Sequence, residues 1–400
     1  MSSLTRVGIW GVFGHGNYGN EATLGAFLAQ LDPARFAPVL LTNDCDRAAE
    51  LHGVAARQVS APFARVSRNR LGRAVGAAAN RSSYLRGAFR MVRDLDAVVV
   101  AGTGGLEHAG SFGTPFEIWT LALACWARRK PYLLLDIGVD PQRRRTGRAF
   151  VRWAGALASY RSYRDERSRA AMRANGLRAA RADPVVTDMA FALHAERAAA
   201  HDGDVVVVGV MRYDGNTDQP SLPAYESYLE RCTVLVRALL AAHRRVVLVV
   251  GDDEDRPSAS ALARRSQDDR VVLSPAASPS ELTAVMSGAA TVVASRYHTL
   301  IFALLAGTPV VSIGYSAKNR AMLAQFRLPD THRDAAEFDP VEVAGLVAQS
   351  VANREALSVV VSSGVAQARE RLDQHWPDVL GAICLPRRRR ARPSQPTTSR

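Results

Sequence analysis

Lysine is almost absent from this chain, and so is any cluster of cysteines. Lys130 and Lys318 are the only lysines among 51 basic residues. The preference for arginine and alanine suggests a GC-rich genome, so the arginine count alone is poor evidence for a nucleic-acid binder. The four cysteines are far apart and form no CxxC pair, which argues against a disulfide framework and against a zinc site. We therefore expect a protein of a reducing cytosol.

Long hydrophobic runs are missing as well. No uncharged apolar window reaches the roughly eighteen residues of a membrane-spanning helix. The opening residues MSSLTRVGIWG lead straight into a strand-like stretch, without the pattern of a secretory leader. Hydrophobic residues nevertheless make up 48% of the 400 residues, which is enough for the cores of two or three domains.

Acidic residues are missing from two arginine-rich stretches. Residues 51–93 contain nine arginines and no aspartate or glutamate, and the tail over 387–400 adds six more arginines to a net charge of +13. A field of one sign over this length favours anionic partners such as phospholipid headgroups or pyrophosphate-linked substrates. A solvated helical face explains the first stretch equally well. No recognition motif accompanies the charge, so we expect no nucleic-acid partner.

Hydrophobic periodicity predicts two rounds of alternating strands and helices. Short buried runs in the first half lie at 7–10, 37–42, 97–101 and 132–137. After a polar, alanine-rich stretch near 194–204, the pattern restarts with runs at 205–210, 246–250, 291–294 and 308–313. We therefore expect an α/β protein of two doubly wound, Rossmann-like domains facing a cleft, the GT-B-like plan. Residues 1–200 and 201–380 would form the domains, and 386–400 a disordered basic tail.

The stretch TVVASRYHTLIFALLAGTPVVSIGYSAK, residues 291–318, predicts the functional edge of the second domain. Its first strand is followed by Arg296, Tyr297 and His298, and Lys318 follows its second strand. Ligands of such βαβ units bind outside the carboxyl ends of the strands. A guanidinium for an oxyanion would then lie beside an imidazole that can give a proton near neutral pH. For an isolated RxH pattern, two side chains at a helix start are the simpler alternative.

Two glycine-rich loops follow strands of the first domain. The first, GVFGHGNYGNEA, contains Gly16 and Asn17 and leads into a helix whose unpaired N–H groups can hold an anion. The second, AGTGGLEH, ends in Glu107 and His108, where a cleft would lie. Neither loop matches a Walker or GxGxxG pattern. Asn17 equally fits a role in pairing the loop's own backbone groups.

Several other residues fit structural roles better than functional ones. Asp165 and Asp188 are placed to cap helices. The sequence SPSEL predicts a capping box with Ser278 as the cap. Trp119 and Trp126 are more typical of a core than of a sugar-binding platform.

Five motifs in order resemble the polysaccharide pyruvyl transferase family. They are GHGNYGNEA, AGTGGLEH, SYRSYRDERS with TDMAF, the strand-end Arg212, and SRYHTLIFALLAGTPVVSIGYSAK, within residues 6–330. The resemblance implies an enzyme that moves the enolpyruvyl group of phosphoenolpyruvate onto sugar hydroxyls. It would form a pyruvate ketal and release phosphate, with no cofactor and no obligatory metal.

The resemblance also implies roles for individual residues. Arg296 and Arg212 would bind the anionic donor, and His298 would protonate its methylene carbon. Glu107 would orient or deprotonate the acceptor hydroxyl, at a position where the family commonly has Asp. The remaining substrate-binding residues would be Gly16, Asn17, Tyr297 and Lys318.

Three functions stay open at this stage. The first is an enzyme that attaches pyruvate to a cell-envelope or exopolysaccharide glycan. Its acceptor would be a lipid-linked or oligosaccharide intermediate at the inner face of the membrane, with the basic stretches near anionic lipid. The second is a nucleotide-sugar glycosyltransferase that uses the carboxylates of GDDEDRP to hold a ribose. The third is a non-catalytic glycan- or membrane-binding module, against which the joint presence of Arg212, Arg296 and His298 argues.

Overall fold

The computed structural model describes residues 4–59, 70–102, 104–107, 113–194, 201–215 and 221–384, with the backbone alone for 70–80 and 329. The predicted tail over 386–400, most of the linker and His108 lie outside these ranges. The strands are β1 (Thr5–Trp10), β2 (Phe36–Thr42), β3 (Ala56–Gln58), β4 (Ala97–Ala101), β5 (Tyr132–Ile137), β6 (Tyr160–Tyr163), β7 (Asp202–Val210), β8 (Arg245–Val250), β9 (Val271–Leu273), β10 (Ala289–Ala294), β11 (Val310–Gly314) and β12 (His332–Asp334).

Helices connect these strands throughout the described chain. They are α1 (Tyr18–Leu28), α2 (Cys45–His52), α3 (Arg70–Met91), α4 (Gly113–Ala127), α5 (Arg145–Leu157), α6 (Glu166–Ala174), α7 (Leu222–Ala241), α8 (Arg256–Ser266), α9 (Pro279–Ser287), α10 (Tyr297–Leu305), α11 (Ala317–Gln325), α12 (Pro340–Ala352) and α13 (Arg354–Cys384). Of the helices that the structure describes, none is long and apolar enough to cross a membrane.

The strands form two parallel six-stranded sheets. The first has the order β3-β2-β1-β4-β5-β6 and the second the order β12-β11-β10-β7-β8-β9. Both sheets are therefore doubly wound. Successive strands are first added on one side of the first strand, and the order then reverses so that the next strands are added on its other side. Ligands of such sheets bind at the carboxyl edge near that reversal. The predicted fold class, two Rossmann-like α/β units, is confirmed.

Local sequence explains most of these elements. All residues of β4 and β10 are buried, as expected for parallel strands covered on both faces by helices. The helix after β10 spans Tyr297–Leu305 and is buried along nearly its whole length. The Ser278 cap is also confirmed, because the Glu281 N–H donates to Ser278 Oγ at 3.2 Å. The Glu281 carboxylate accepts from the Ala277 N–H at 2.7 Å, one residue before the N–H that a capping box uses.

The last helix, α13, returns to the first half of the chain. His375 Nε2 lies 3.3 Å from Asp136 Oδ1, and the Trp376 ring lies 6.3 Å from the Phe27 ring, centroid to centroid. The end of α13 thus contacts the first sheet and its helices, although the sequence assigns it to the second domain. The boundaries at residues 200 and 380 stay predictions.

Candidate active site

Residues from both halves meet where the carboxyl edges of the two sheets face each other. Tyr297 and His298 open α10 directly after β10, and Lys318 lies in the first turn of α11 after β11. Glu107 follows β4 in the first half. Lys318 Nζ lies 3.1 Å from Glu107 Oε2. Two residues predicted separately, 211 positions apart, are therefore joined by an ion pair across the cleft.

Arg164 is at the centre of this site, and the sequence analysis did not single it out. It comes directly after β6, and only 1% of its side chain is exposed. Its guanidinium donates to Glu107 Oε1 and, at 3.3 Å, to Asp188 Oδ2, and it lies 4.6 Å from the Tyr297 ring centroid. Its position at a strand end in SYRSYRDERS was the available signal. We call Glu107, Arg164, Asp188, His298 and Lys318 the cross-domain cluster.

Glu107 is an ionised anchor within this cluster. Burial by itself would raise its pKa, but the charges of Arg164 and Lys318 outweigh burial and hold the pKa well below its usual range. A carboxylate stabilised to this degree is a weak general base. The geometry therefore does not support the expected deprotonation of an acceptor hydroxyl by Glu107, and favours a role in positioning Lys318.

His298 lies between the two halves with 16% of its side chain exposed. Its Nε2 is 3.7 Å from Asp188 Oδ2, and this nitrogen has no hydrogen-bond partner among the described residues. Burial lowers the pKa of His298 to about 4, and the positive charges of Arg164 and Lys318 act in the same direction against Asp188. The imidazole of the free protein is therefore neutral at pH 7, so it can give a proton near neutral pH only if a bound group raises this pKa.

Gly19 allows the close approach of α1 to His298. A Cβ atom at this position would lie only 1.9 Å from His298 Nδ1, so only glycine fits at this point of the helix. Among the glycines of GHGNYGNEA, Gly19 is therefore the one that leaves room for the His298 imidazole in the active site.

The two predicted caps are confirmed, and one of them has a second contact. Asp165 accepts from the Ser168 N–H at 2.6 Å and caps α6, while Asp188 Oδ1 accepts from the Ala190 N–H at 3.0 Å. The other oxygen of Asp188 faces Arg164 and His298. Asp188 therefore joins a structural cap to the cluster, which spacing in the sequence did not indicate.

Arg296 does not present an open guanidinium fork. Its Nε and Nη2 each donate to the Asp255 carboxylate at 2.8 Å. Asp255 is fully buried and also accepts from the backbone N–H of Arg212 at 2.7 Å. Because 25% of the Arg296 side chain is exposed, the remaining edge of the guanidinium can still reach an anion. Asp255 fixes its orientation.

Arg212 is linked to Arg296 through Asp255 but lies apart from the cross-domain cluster. Its side chain is 58% exposed, and its Nε is 3.7 Å from Asp214 Oδ2, a loose surface pair. It lines a cavity of about 240 Å³ together with Tyr225 and Glu254. Within the described ranges, no contact joins the Arg212 side chain to His298 or Lys318.

The first glycine-rich loop contacts the second half of the chain instead of forming an open anion site. Gly16 has a φ of +79°, and its carbonyl accepts from the Asp253 N–H at 3.0 Å. Asn17 Nδ2 donates to Asp252 Oδ2 at 2.8 Å, while Asn17 Oδ1 caps α1 by accepting from the Asn20 N–H at 3.1 Å. Carboxylates of the protein itself therefore lie at the positive end of α1.

The acidic side chains of the GDDEDRP motif take part in these contacts and in the ion pair with Arg296. Asp252 pairs with Asn17, Asp253 accepts from the Tyr18 hydroxyl at 2.6 Å, and Asp255 holds Arg296. The four carboxylates of this motif are the candidates for holding the ribose of a nucleotide sugar. In this structure three of the four, those of Asp252, Asp253 and Asp255, have protein partners.

The charges of the site suit an anion better than a metal ion. Lys318, Arg164 and Arg296 lie at the cleft, and the carboxylates beside them already contact arginine or lysine. In the part of the chain that the structure describes, no group of three or more His, Cys, Asp or Glu side chains can hold a metal ion. The arrangement can bind an anion and transfer a proton at His298.

Comparisons with known structures agree with this architecture. S. aureus MnaA in complex with UDP has a TM-score of 0.61 at 12% identity, covering 96% of this chain and 98% of that chain. UDP-GlcNAc 2-epimerase from Neisseria meningitidis bound to UDP-GlcNAc has a TM-score of 0.56 at 10% identity, covering 94% of this chain and 100% of that chain. MurG of Acinetobacter baumannii has a TM-score of 0.54 at 13% identity, covering 94% of this chain and 99% of that chain. At these identities the likeness shows the fold alone.

Sequence comparison identifies the family. No curated protein sequence matches the chain. A sequence model described as polysaccharide pyruvyl transferase matches residues 17–317, which include the whole cross-domain cluster except Lys318 and well over half of the chain. The chain therefore belongs to the polysaccharide pyruvyl transferase family, a family of transferase enzymes.

Proposed function

We propose that this enzyme transfers the pyruvyl group of phosphoenolpyruvate to two hydroxyls of a cell-envelope or exopolysaccharide glycan, forming a pyruvate ketal and releasing phosphate. The observation that supports this most is the position of His298, which α10 places in the cleft against Asp188 and beside the cationic groups of Arg164 and Lys318. A proton donor beside positive charge suits a substrate that is both an anion and a weak carbon base.

The reaction needs one proton at carbon. The electron pair of the donor's C2–C3 double bond takes the proton from the His298 imidazolium, so that C3 becomes a methyl group and C2 becomes cationic. One glycan hydroxyl adds to C2, phosphate leaves with the electron pair of the C2–O bond, and the second hydroxyl adds in its place. Of the two hydroxyl protons, one returns to the imidazole and the other leaves with phosphate.

The donor's carboxylate and phosphate would be bound by Arg296, Arg212 and Lys318. Arg296 and Arg212 are tied to one another through Asp255, and Lys318 approaches from the neighbouring strand end. Arginine suits phosphate and carboxylate because its planar N–H groups can bind two oxygens at once. Glu107 and Tyr297 would hold Lys318 in place, since its Nζ lies 5.0 Å from the Tyr297 ring centroid.

Ligand-dependent thermal stabilisation tests the donor. A ligand that binds only the folded state at a hundred times its Kd stabilises it by about 2.7 kcal/mol. We expect phosphoenolpyruvate to raise the melting temperature, while UDP-N-acetylglucosamine and inorganic phosphate at the same concentration have a smaller effect or none. Arg212→Gln should abolish the shift. Arg270→Gln should keep it, because Arg270 pairs locally with Asp268 at the amino end of β9.

Other outcomes would decide between the remaining functions. A shift produced by UDP-sugars alone would contradict the proposal and favour a nucleotide-sugar glycosyltransferase. The absence of a shift with every compound would favour a non-catalytic module.

Binding of phosphoenolpyruvate should also take up a proton. His298 has a pKa of about 4 in the structure, so the free imidazole is neutral at pH 7.5, while a bound trianion favours its charged form and raises that pKa. At pH 7.5 the donor's phosphate, with a second pKa of about 6, is already ionised and contributes little. Calorimetric titration in two buffers of different ionisation enthalpy should therefore show uptake of up to about one proton per donor bound.

His298→Gln provides the control for this titration. The variant should bind the donor with a buffer-independent enthalpy, since glutamine does not titrate. Wild-type protein that takes up no proton would show that His298 is not charged in the complex, and would remove it as the acid.

A further inference from the structure

Aromatic side chains form a continuous band across three helices of the first half. The ring centroids of Phe116 and Phe150 are 5.3 Å apart, those of Trp119 and Phe150 5.1 Å, and those of Trp119 and Trp153 5.9 Å. Tyr84 extends the band to α3, with its centroid 6.3 Å from that of Phe116. We call these five residues the aromatic band.

The band lies on the outer faces of its helices. In α4, positions 116, 119, 123 and 126 recur at helical spacing and none of them is buried, whereas Ile118, Leu121 and Cys125 are buried. Trp153 is 41% exposed, and Trp126, two turns beyond Trp119, is 54% exposed. The prediction that Trp126 is a core residue is therefore wrong, because this face of α4 points away from the sheet.

Positive charge surrounds the aromatic band. Residues 141–157 contain no acid, and five arginines lie there, all exposed: Arg143, Arg144, Arg145, Arg148 and Arg152. Arg152 lies with its guanidinium carbon 6.0 Å from the Trp153 ring centroid. The described last turns of α3 add three more exposed arginines, Arg81, Arg86 and Arg90. The face therefore combines exposed tryptophan with charge of one sign.

We propose that this face binds the surface of an anionic lipid bilayer. Tryptophan is favoured at the boundary between headgroups and acyl chains, and arginines on the same helices are attracted by the negative surface potential of anionic lipid. A second copy of the chain fits less well, because a symmetric contact would bring the arginines of both copies together. Nucleic acid would neutralise the arginines but offers no apolar layer for Trp126 and Trp153.

The face extends along the side of the first sheet, away from the cleft. Helices α4 and α5 follow β4 and β5, so both begin at the carboxyl edge of the first sheet, where Glu107 and the cross-domain cluster lie. Trp126 lies in the last turn of α4 and Trp153 in the second half of α5, so the exposed tryptophans lie toward the opposite, amino edge of the sheet.

Vesicle binding by the full-length chain tests the surface. We expect co-sedimentation with phosphatidylcholine vesicles that contain phosphatidylglycerol, and little with phosphatidylcholine alone. The double variant Trp126→Ser, Trp153→Ser should weaken binding by about tenfold or more. The control is Val341→Ser, Val359→Ser, which removes two exposed apolar side chains, 68% and 70% exposed, from the second half of the chain. This control should bind like the wild type.

Tryptophan fluorescence gives a second readout, because the arginines over 387–400 can attract the protein to the same vesicles. Brominated acyl chains should quench the wild-type emission, and most of this quenching should be lost in the tryptophan double variant. Binding without quenching, or equal binding by both double variants, would overturn the proposal. So would a dimer in solution that only the tryptophan variant disrupts, since a second copy would then cover the face. Neither readout involves phosphoenolpyruvate, so this proposal and the proposed function can fail separately.

Discussion

Replacing His298 with glutamine is expected to lower the turnover number by a factor of about 100 to 10,000 while changing the affinity for phosphoenolpyruvate only a few fold. Glutamine keeps the approximate volume and a polar end group but cannot deliver a proton to carbon. The donor's anionic groups would still be bound by Arg296, Arg212 and Lys318. Phosphate release from phosphoenolpyruvate in the presence of an oligosaccharide acceptor measures turnover, and calorimetry measures donor affinity.

A second buried histidine provides the control for this substitution. His332 begins β12, is 8% exposed and lies with Nδ1 3.3 Å from Ser312 Oγ. His332→Gln removes an imidazole from the same half of the chain without touching the cross-domain cluster, so its turnover should stay within a few fold of the wild type. Near-normal turnover in His298→Gln would show that another group protonates the donor.

Alanine at position 19 is expected to lower turnover about 100-fold or more, although it adds a single methyl group. Its Cβ would lie 1.9 Å from His298 Nδ1. The start of α1 cannot retreat easily, because the Asn17 cap and the pairing of Gly16 with Asp253 hold it in place. The imidazole must therefore move, and a misplacement of about 1 Å at a reacting group can cost a factor of 100.

Gly25 lies in the same helix and provides a matched control. A Cβ there would meet only Leu193 Cδ2, at an ordinary 3.8 Å. Gly25→Ala should leave turnover unchanged and stabilise the helix by about 0.5–1 kcal/mol. The two variants are compared by turnover number and by melting temperature. If Gly19→Ala and Gly25→Ala were equally active, the contact between α1 and His298 would have no part in catalysis.

Because burial lowers the pKa of His298, a substrate of this site must raise that pKa before the imidazole can give a proton. A neutral imidazole is a poor donor, and burial keeps it neutral in the structure. In the proposed reaction, the negative charge of a bound donor would supply the missing stabilisation of the imidazolium. The acid would then be charged only when the donor is present, which restricts proton transfer to the complex.

Much of the fold could be predicted from local sequence. Parallel strands buried on both faces are continuous apolar runs, as in β4 and β10, and polar caps such as Ser278 and Asp165 mark where helices begin. These signals depend on neighbours within a few positions. The strand-end location of Arg296 and His298 follows from the same local pattern.

The sequence by itself therefore determined two doubly wound units and a set of polar residues at their carboxyl edges. Only the tertiary structure decided which of these residues meet: Glu107 with Lys318 and Arg164, and Arg296 with Asp255. It also decided that the loop of Gly16 and Asn17 faces carboxylates of the other half. The reason is physical. Strand and helix patterns depend on spacing along the chain, whereas ion pairs, burial and the resulting pKa values depend on distances between groups such as Asn17 and Asp252, which are 235 positions apart.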